Sequence, residues 1–413
     1  MRSILFVAEY FPPIVQGGGE VNLSLLSQAL AERGFRVTVL TSWFPGLRRE
    51  EVVRGVRVVR RLRTGRSVGG LFGNVVRSLF FEASVFRGVE MLLKKQRFDV
   101  IHLIGSSLGC AERLRRLTAV PLAATVESYI ALCPKGDFLC GTSIDMSRWS
   151  FGTFVRCLLS SQEIGKMKNR FFLKYNPFFW LAGYSRFAHL ERNLRFVSLI
   201  AVSRFVRDVL KKNNGLESAV VPNFIDIAAF RKPQLRSMAP NRKPVVVYLG
   251  ALAEHKGPQV LLEAAVGLDC RVELHGDGPL RERLRAFIAQ HGLDAEIYAP
   301  VPYEQVPPIY ARADLVAFPS LWPEPFGRIA IEALAAGVPI VASAIGGIEE
   351  TVPRGAGILI EPGNSSRLRN ALRFLLEHPA AQRRRSANGR AFFVRTYSKG
   401  AVVKKLINLY DSL

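Results

Sequence analysis

Short apolar segments alternate with longer amphipathic segments along most of the chain. The apolar segments are rich in Val, Ile and Leu without regular polar alternation, which is the pattern of strands buried on both faces of a parallel sheet. The intervening segments, such as the helix predicted from about Glu20 to Arg33, have the spacing of helices that cover such a sheet. We predict strands, in two series, at residues 3–10, 35–42, 99–105, 122–128, 244–250, 271–276, 314–320 and 338–343.

The two series of strands predict an α/β protein with two Rossmann-like, doubly wound domains. The chain has 413 residues, which exceeds the size of about 250–300 residues at which one hydrophobic core stops growing. The segment 220–226 joins the two series. We therefore predict an N-terminal domain over 1–222, a C-terminal domain over 223–390 and a final helix over 391–413.

Two carboxylates, Glu324 and Glu332, follow the strand at 314–320. A Pro325-Phe326-Gly327 turn lies between them and leads into an Ala-rich helix, which Pro325 prevents from starting earlier. The first N–H groups of such a helix bind anions, and the helix dipole strengthens the site. The pattern therefore predicts amide donors for a diphosphate, flanked by carboxylates that accept hydrogen bonds from hydroxyl groups. The alternative is a buried helix with two solvated glutamates.

The same segment resembles the donor site of retaining glycosyltransferases of family 4, which have the GT-B fold. The resemblance implies that Glu324 contacts the donor sugar, that the Phe326 and Gly327 amides meet the phosphates, and that Glu332 holds the ribose. It also implies that the second domain binds the donor and that the final helix crosses back onto the first domain. The matching residues are Pro319, Ser320, Glu324, Pro325, Phe326, Gly327, Glu332, Gly337, Pro339, Ala342, Gly346 and Gly347.

Two further motifs extend the resemblance to donor binding. Gly17 and Gly18 follow the first strand, where family members carry Gly-Gly beside the acceptor and the donor phosphate. A tight structural turn is the alternative for them. Gly250 ends the first strand of the second domain, and Lys256 matches a cation that stabilises the leaving diphosphate. Ala251 stands where an Arg is usual, so one expected cation is missing.

Glu127 is the most unusual residue of the predicted first-domain site. A related subgroup pattern has His at this position, in contact with the transferring sugar, whereas this chain has Glu127 followed by Ser128. A carboxylate near the anomeric carbon either stabilises positive charge there, acts as a nucleophile in a double displacement, or orients a sugar hydroxyl. We favour the last role.

We predict neither a metal site nor a cofactor. No D-x-D pair precedes a strand end, so a metal-bridged diphosphate is not expected, and the substrate is a nucleotide-diphosphate sugar. Cys133, Cys140 and Cys157 lack the C-x-x-C spacing of zinc sites. Asn22 occupies the third glycine position of a G-x-G-x-x-G motif, which argues against a nicotinamide oxidoreductase.

The net charge of +23 predicts anionic partners. Because no nucleic-acid-binding motif accompanies it, we expect a phosphorylated substrate or an anionic membrane and no nucleic acid. The five cysteines and the lack of a signal peptide indicate a reduced, cytoplasmic compartment, and no apolar run is long enough to cross a bilayer. The sequence thus predicts a peripheral protein at the inner face of the cell membrane.

Residues 148–198 interleave aromatic and basic side chains, a composition typical of the headgroup boundary of a membrane. A buried helical insertion in the first domain is the alternative. The aromatic residues are Phe151, Phe154, Phe171, Phe172, Phe178, Phe179, Trp180, Tyr184 and Phe187, and the basic residues are Arg156, Lys166, Lys168, Arg170, Lys174 and Arg186.

Together these features predict a metal-independent, retaining glycosyltransferase that moves a sugar from a nucleotide-diphosphate sugar to an acceptor, either a lipid-linked or a membrane-presented glycan. The alternative is a degenerate GT-B protein that binds a sugar nucleotide or glycan without turnover, because Ala251 and Glu127 depart from the family pattern.

Overall fold

A computed structural model describes residues 2–64, 71–140, 143–144, 146, 149–159, 177–230 and 242–413, with the side chains of 71–79, 143 and 179 left out. The chain forms two compact units. The first unit is Met1–Val221 together with Val403–Leu413, and the second is Pro222–Val402. The predicted joint at 220–226 contains the boundary between them.

The first unit is built on an eight-stranded sheet in the order β10-β9-β6-β5-β1-β2-β4-β3, parallel except for the antiparallel pair β3–β4. This pair was not predicted, because β3 is mostly exposed and β4, although largely buried, interrupts its apolar residues with Arg57, Arg60 and Arg61. The strands are β1 Ser3–Val7, β2 Arg36–Ser42, β3 Glu50–Val53, β4 Val56–Leu62, β5 Val100–Ile104, β6 Leu122–Val126, β9 Ser198–Ala201 and β10 Ser218–Val220. A separate hairpin joins β7 Leu139–Cys140 to β8 Ser143–Ile144.

Helices connect the parallel strands of the first unit. They are α1 Gly18–Ala31, α2 Leu71–Lys95, α3 Ala111–Leu117, α4 Phe151–Leu159, α5 Pro177–Asn193 and α6 Arg204–Asn214. The chain runs from β1 to β2 on one side and reaches β5 on the other, so the order of strands reverses between β1 and β5. Open α/β sheets bind ligands at the carboxyl ends of strands at such a reversal.

The second unit has a six-stranded, wholly parallel sheet in the order β13-β12-β11-β14-β15-β16, which reverses between β11 and β14. Its strands are β11 Val245–Leu249, β12 Arg271–His275, β13 Ala295–Tyr298, β14 Leu315–Phe318, β15 Ile340–Ser343 and β16 Gly357–Ile360. Its helices are α7 Pro258–Ala265, α8 Arg281–His291, α9 Val306–Arg312, α10 Arg328–Ala336, α11 Ile348–Thr351, α12 Ser365–Glu377 and α13 Pro379–Thr396. The prediction of two doubly wound α/β domains is confirmed.

The C-terminal stretch differs from the single helix predicted over 391–413. Helix α13 ends at Thr396, and α14 Lys399–Asp411 follows after a break at Tyr397 and Ser398. Ser398 forms a β-bridge with Ile225 in the second unit, so the chain at the break is held by backbone pairing and cannot continue as a helix. From Val403 onward the chain belongs to the first unit.

The aromatic and basic segment of the first unit forms packed helices where the structure describes it. Phe154 of α4 contacts Tyr184 and Phe187 of α5, with ring centroids 5.5 and 6.3 Å apart. Trp180 is only 6% exposed, so the membrane interpretation of this segment is wrong for Trp180, and the alternative of a buried insertion holds at this residue. Phe178 is 78% exposed. Lys166, Lys168, Arg170, Phe171, Phe172, Lys174 and the side chain of Phe179 lie outside the described residues.

No helix in the described ranges is both long enough and apolar enough to span a bilayer.

Candidate functional site

The strand ends of the second unit come close together at the reversal between β11 and β14. Gly257 has φ +73°, and a Cβ placed on it would lie 1.9 Å from the carbonyl oxygen of Pro319 at the end of β14. A Cβ on Gly276 would lie 1.9 Å from the carbonyl oxygen of Gly250. Glycine is required at 257 and 276 because backbone meets backbone. The contact between Gly257 and Pro319 fixes the segment that carries Lys256 against the loop that carries Glu324.

Glu324 lies in the loop between β14 and α10 and is 8% exposed. Three groups donate hydrogen bonds to its Oε1 atom: Lys256 Nζ at 2.7 Å, Trp322 Nε1 at 2.7 Å and Ser320 Oγ at 3.1 Å. No group in the described part of the chain donates to Oε2. The carboxylate is therefore held by one oxygen, which leaves the other to accept a hydrogen bond from a ligand.

Lys256 is positioned by the same loop. Its ammonium group lies 4.3 Å from the centre of the Trp322 ring, an attractive cation–π geometry. The Trp322 ring in turn packs edge-on against His255, with centroids 5.7 Å apart. Trp322 therefore orders both charged groups, since its indole N–H holds Glu324 and its face holds Lys256.

The turn before α10 is shaped by close backbone contacts. Gly327 has φ +91° and precedes Arg328, the first residue of the helix. The side chain of Phe326 is buried against Tyr397, 5.5 Å away between centroids, so only its backbone amide is suited to face a ligand. Gly347 N–H donates to the Glu324 carbonyl oxygen at 2.7 Å. The amides at the start of α10 thus sit on a rigid turn beside Glu324.

Glu332 lies one helical turn into α10 and is 5% exposed. Its Oε1 accepts a hydrogen bond from Arg328 Nε at 2.9 Å, and its Oε2 accepts one from the Tyr310 hydroxyl at 3.0 Å. Burial raises the pKa of Glu332, while the Arg328 charge opposes that shift. The contact with Arg328 holds the carboxylate beside the first residue of the helix.

The first unit contains a cavity of about 420 Å³ at the reversal between β1 and β5. Its walls come from the carboxyl ends of β1, β5 and β6 and from the start of α1. The polar lining consists of Glu9, Gln16, Gly17, Gly18, Gly19, Glu20, Ser106, Thr125, Glu127 and Ser128, and the apolar lining includes Leu23, Leu103, Leu108 and Ile130.

Gly17 and Gly18 form the entrance to α1, in the same cavity as Glu127. Gly17 N–H donates to Glu20 Oε2 at 2.9 Å. A Cβ on Gly19 would lie 2.6 Å from Glu127 Oε2, so this third glycine allows the carboxylate to approach the helix. The sequence prediction singled out Gly17 and Gly18 and missed the contact made by Gly19.

Glu127 follows β6 and accepts a hydrogen bond at Oε1 from Asn22 Nδ2, at 2.8 Å. Asn22 is 6% exposed. A neutral amide therefore orients Glu127. Glu20, which lines the same cavity, has a pKa raised mainly by burial, with the Glu9 charge adding to the shift.

The structure adds five residues that sequence reasoning did not assign: Trp322, Arg328, Tyr310, Asn22 and Gly19. Arg328 carried a readable signal, because positions i and i+4 of a helix are neighbours and Arg328 precedes Glu332 by one turn. No sequence pattern indicated Tyr310 or Asn22, since each contacts its carboxylate from a distant part of the chain. No cluster of three or more potential metal-ligating side chains occurs among the residues that the structure describes.

Sequence models of two families match the chain. The model described as Glycosyltransferase Family 4 matches residues 16–229, and the model described as Glycosyl transferases group 1 matches residues 232–392. The two matches together cover both units.

Individual proteins give the same assignment. The 2-deoxystreptamine glucosyltransferase of Streptomyces kanamyceticus is 27% identical over 383 residues, which cover 87% of this chain and 90% of that protein. The alpha-D-kanosaminyltransferase of the same organism is 28% identical over 179 residues, so that match covers 41% of this chain and less than half, 46%, of that relative.

Solved structures show the same fold. Sucrose-phosphate synthase from Thermosynechococcus elongatus superposes with a TM-score of 0.77 at 21% identity, covering 100% of this chain and 99% of that one. Anabaena HepE in complex with UDP-glucose has a TM-score of 0.66 at 19% identity, and 100% of both chains is covered. Together with the parallel sheets and the contact between Lys256 and Glu324, these matches show that the chain belongs to glycosyltransferase family 4 and is a glycosyltransferase of the GT-B fold.

Proposed function

We propose that the protein is a retaining transferase that moves a sugar from a nucleotide-diphosphate sugar to an acceptor hydroxyl, with the donor bound by the second unit. The observation that carries this proposal is Glu324, a nearly buried carboxylate that accepts three hydrogen bonds at Oε1 and has no described donor at Oε2. Oε2 then accepts a hydrogen bond from a hydroxyl of the donor sugar. This contact strengthens as positive charge develops on the sugar ring, so it favours the transition state.

Lys256 and the first amides of α10 supply the positive field for the leaving group. Transfer breaks the bond between the anomeric carbon and the phosphate oxygen, and the acceptor oxygen bonds to the anomeric carbon on the same face. The leaving phosphate takes the acceptor's proton and becomes a nucleoside diphosphate. Fixed cations and amide dipoles stabilise the negative charge that develops there. Because Ala251 supplies no cation, Lys256 carries a larger share of this stabilisation.

The donor class follows from Glu332 and from structural relatives. A buried carboxylate suits a pair of ribose hydroxyl groups, and HepE, which has the same fold, binds UDP-glucose in its crystal structure. A thermal-shift screen with UDP-, GDP-, ADP- and TDP-sugars tests this, because a true donor stabilises the folded protein by mass action. Failure of every sugar nucleotide to raise the melting temperature would contradict the proposed donor.

Retention and metal independence have a direct test. NMR of the product formed from an α-linked donor should show an α-linkage, and turnover should persist in EDTA. An inverted product, or activity that disappears with EDTA and returns with Mn²⁺, would contradict the assignment. Binding of the nucleotide sugar without any transfer to added acceptors would favour the degenerate alternative.

Glu127 is proposed to orient a hydroxyl group of the bound sugar or acceptor. Its hydrogen bond from the Asn22 amide holds the carboxylate in one rotamer, which suits an orienting role. The alternative role as a nucleophile requires a covalent glycosyl intermediate on Glu127, which mass spectrometry of the protein incubated with donor alone would detect.

The acceptor is proposed to be a lipid-linked or membrane-presented glycan, reached from the cytoplasmic face of an anionic membrane. The net charge of +23 and exposed apolar side chains on the first unit support this; Phe151, Phe178 and Leu181 are 42%, 78% and 56% exposed. Each basic residue near an anionic surface adds about 1 kcal/mol, within a Debye length.

Liposome co-sedimentation tests the membrane proposal. Binding should require anionic lipid, weaken with salt and fall when Phe178 is changed to Ser. Phe374→Ser is the matched control, because Phe374 is 39% exposed on the second unit. Equal binding to neutral liposomes, or none to either kind, would contradict a peripheral site on the first unit.

A further inference from the structure

A buried group of four side chains surrounds the start of α10. Glu332 and Arg328 come from the helix itself, Tyr310 from α9, and Tyr303 from the short 3₁₀ turn that precedes α9. Their contacts all converge on the Glu332 carboxylate or on the guanidinium group that pairs with it. The proposed function uses only Glu332 from this group.

The two oxygens of Glu332 are held by different donors. Arg328 Nε binds Oε1 and the Tyr310 hydroxyl binds Oε2, at 2.9 and 3.0 Å. An ionised carboxylate offers about four acceptor positions, so one position on each oxygen remains. Two adjacent acceptor positions in a fixed plane match the two neighbouring hydroxyl groups of a ribose.

The Arg328 side chain is mostly buried and also packs against an aromatic ring. Its side chain is 14% exposed, and its guanidinium carbon lies 4.7 Å from the centre of the Tyr303 ring. Its Nη1 and Nη2 atoms are buried and have no hydrogen-bond partner within the described ranges. Leaving two donors unsatisfied destabilises the fold, so the hydrogen bonds of this arginine do not explain its burial.

A contribution to folding stability also does not explain why Arg328 and Glu332 form a buried ion pair. A buried ion pair gains little over apolar residues of the same volume, because both charges lose their hydration. The arrangement instead keeps a carboxylate charged in a place where burial favours the neutral acid. A neutral carboxyl group would lose acceptor capacity, since one of its oxygens would carry a proton.

We propose that Arg328 is a positioning residue for donor recognition, which acts through Glu332 by keeping its carboxylate ionised and oriented toward the ribose hydroxyl groups. This inference rests on the proposed function. It predicts that the site prefers ribonucleotides over 2′-deoxyribonucleotides and that the preference depends on Arg328.

The pH dependence follows from the groups that face Glu332. These are Arg328 on its own helix, Tyr310 on α9 and Tyr303 on the preceding turn. Burial raises the pKa of Glu332 and Arg328 opposes that shift, while burial also raises the pKa of both tyrosines. Both tyrosines therefore stay neutral near pH 7. Removing the Arg328 charge raises the pKa of Glu332 further, so its carboxyl group takes up a proton at a higher pH than in the wild type.

The test is calorimetric titration of the full chain with UDP, GDP and ADP and with their 2′-deoxy forms, between pH 6.5 and 9. For each nucleotide that binds the wild type, Arg328→Met should weaken ribonucleotide binding about tenfold or more at pH 7, as for the loss of one charge-assisted hydrogen bond. Binding of the 2′-deoxy form should change less. Raising the pH should restore part of the affinity, because Glu332 then ionises.

Three variants complete the design. Glu332→Gln should lose the ribose preference at every pH, and Arg328→Met in the Glu332→Gln background should add no further loss. Arg328→Lys keeps the charge, so it should retain a wild-type pH profile with intermediate affinity, and it tests the proposal if the Met variant does not fold. Arg312→Met is the matched control, because Arg312 Nε pairs with the buried Glu273 at 2.9 Å in the same unit.

Unchanged ribonucleotide affinity in Arg328→Met, or losses that add fully in the double variant, would overturn the proposal while the proposed function stands. The same loss in the Arg312→Met control would also overturn it, since a general destabilisation would then explain the effect. A wild-type protein that binds none of the nucleotides would overturn both the proposed function and this inference.

Discussion

The two units differ in the groups that donate hydrogen bonds to their carboxylates. In the second unit, Glu324 and Glu332 each pair with a basic side chain, Lys256 at 2.7 Å and Arg328 at 2.9 Å. In the first unit, three carboxylates that line the cavity each accept a hydrogen bond from a neutral group. These donors are Thr64 Oγ1 for Glu9, Gly17 N–H for Glu20 and Asn22 Nδ2 for Glu127.

The cations of the second unit match the donor that this unit is proposed to bind. A diphosphate is repelled by an uncompensated carboxylate, so a donor site that needs carboxylates for sugar and ribose must neutralise them with nearby cations. In the first-unit cavity, Glu127, which is proposed to orient a hydroxyl group, accepts a hydrogen bond from the Asn22 amide. The cations beside Glu324 and Glu332 therefore fit the proposed donor site.

Changing Glu324 to Gln should have the largest effect of any change on this comparison. We expect kcat to fall by about 10³-fold or more with little change in nucleotide affinity, because the contact to the sugar is strongest in the transition state. Steady-state kinetics and nucleotide titration measure the two effects separately. Glu377→Gln on the exposed end of α12 is the control, and full activity in Glu324→Gln would remove the basis of the donor assignment.

Lys256→Ala should lower turnover about 10²-fold or more, as for the loss of one preorganised charge. Trp322→Phe should lower it less, because the Phe ring keeps a face for the ammonium group while the indole hydrogen bond to Glu324 is lost. Measuring kcat for both variants gives the order of the two effects. A larger loss in Trp322→Phe than in Lys256→Ala would mean that the fixed position of the Glu324 carboxylate, and not the Lys256 charge, limits turnover.

Glu127→Gln should retain a substantial fraction of activity, because an amide oxygen still accepts a hydroxyl hydrogen bond. If Glu127 were a nucleophile, Gln would abolish transfer, and a small anion such as azide would partly rescue Glu127→Ala. The rates of both variants with and without azide distinguish the roles. A glycosyl adduct trapped on Glu127 would show that the first unit performs covalent chemistry.

The smallest expected effect is one of pH on the stability of the first unit. His102 is fully buried, with Nδ1 facing the Tyr410 hydroxyl and Nε2 facing Thr125 Oγ1, and burial lowers its pKa from 6.5 to about 3. The unfolded chain therefore binds more protons between pH 6.5 and 3, so stability falls as the pH drops through this range, by at most about 1.4 kcal/mol per pH unit.

Urea unfolding at pH 7.5 and 5 measures this effect. In a Trp322→Phe background the remaining tryptophans, Trp43, Trp149 and Trp180, all lie in the first unit, so their fluorescence reports its unfolding alone. His102→Gln should show a smaller difference between the two pH values. An equal difference in both proteins would assign the acid sensitivity to other groups.

Much of the fold follows from local sequence patterns. The strands β1, β2, β5, β6, β11, β12, β14 and β15 all lie within the predicted apolar runs, because uninterrupted Val, Ile and Leu segments bounded by Gly or Pro are stable only inside a covered parallel sheet. The pair β3–β4 was missed, since the edge strand β3 is mostly exposed and three arginines interrupt the apolar residues of β4. The break in the helix predicted over 391–413 was not expected, because the β-bridge at Ser398 is formed with Ile225, a residue more than a hundred positions away.

The sequence by itself determined the Glu324–Glu332 spacing, the glycine turn between them and the helix that follows, because all of these are set by neighbours within a few residues. Only the tertiary structure decided that Lys256 and Trp322 share Glu324, that Tyr310 holds Glu332, and that Asn22 holds Glu127. It also decided that Trp180 is buried and not a membrane contact. Apart from Trp322, these partners lie on distant segments that the packing of each unit brings together, and a pairing between distant segments leaves no periodic pattern in the chain.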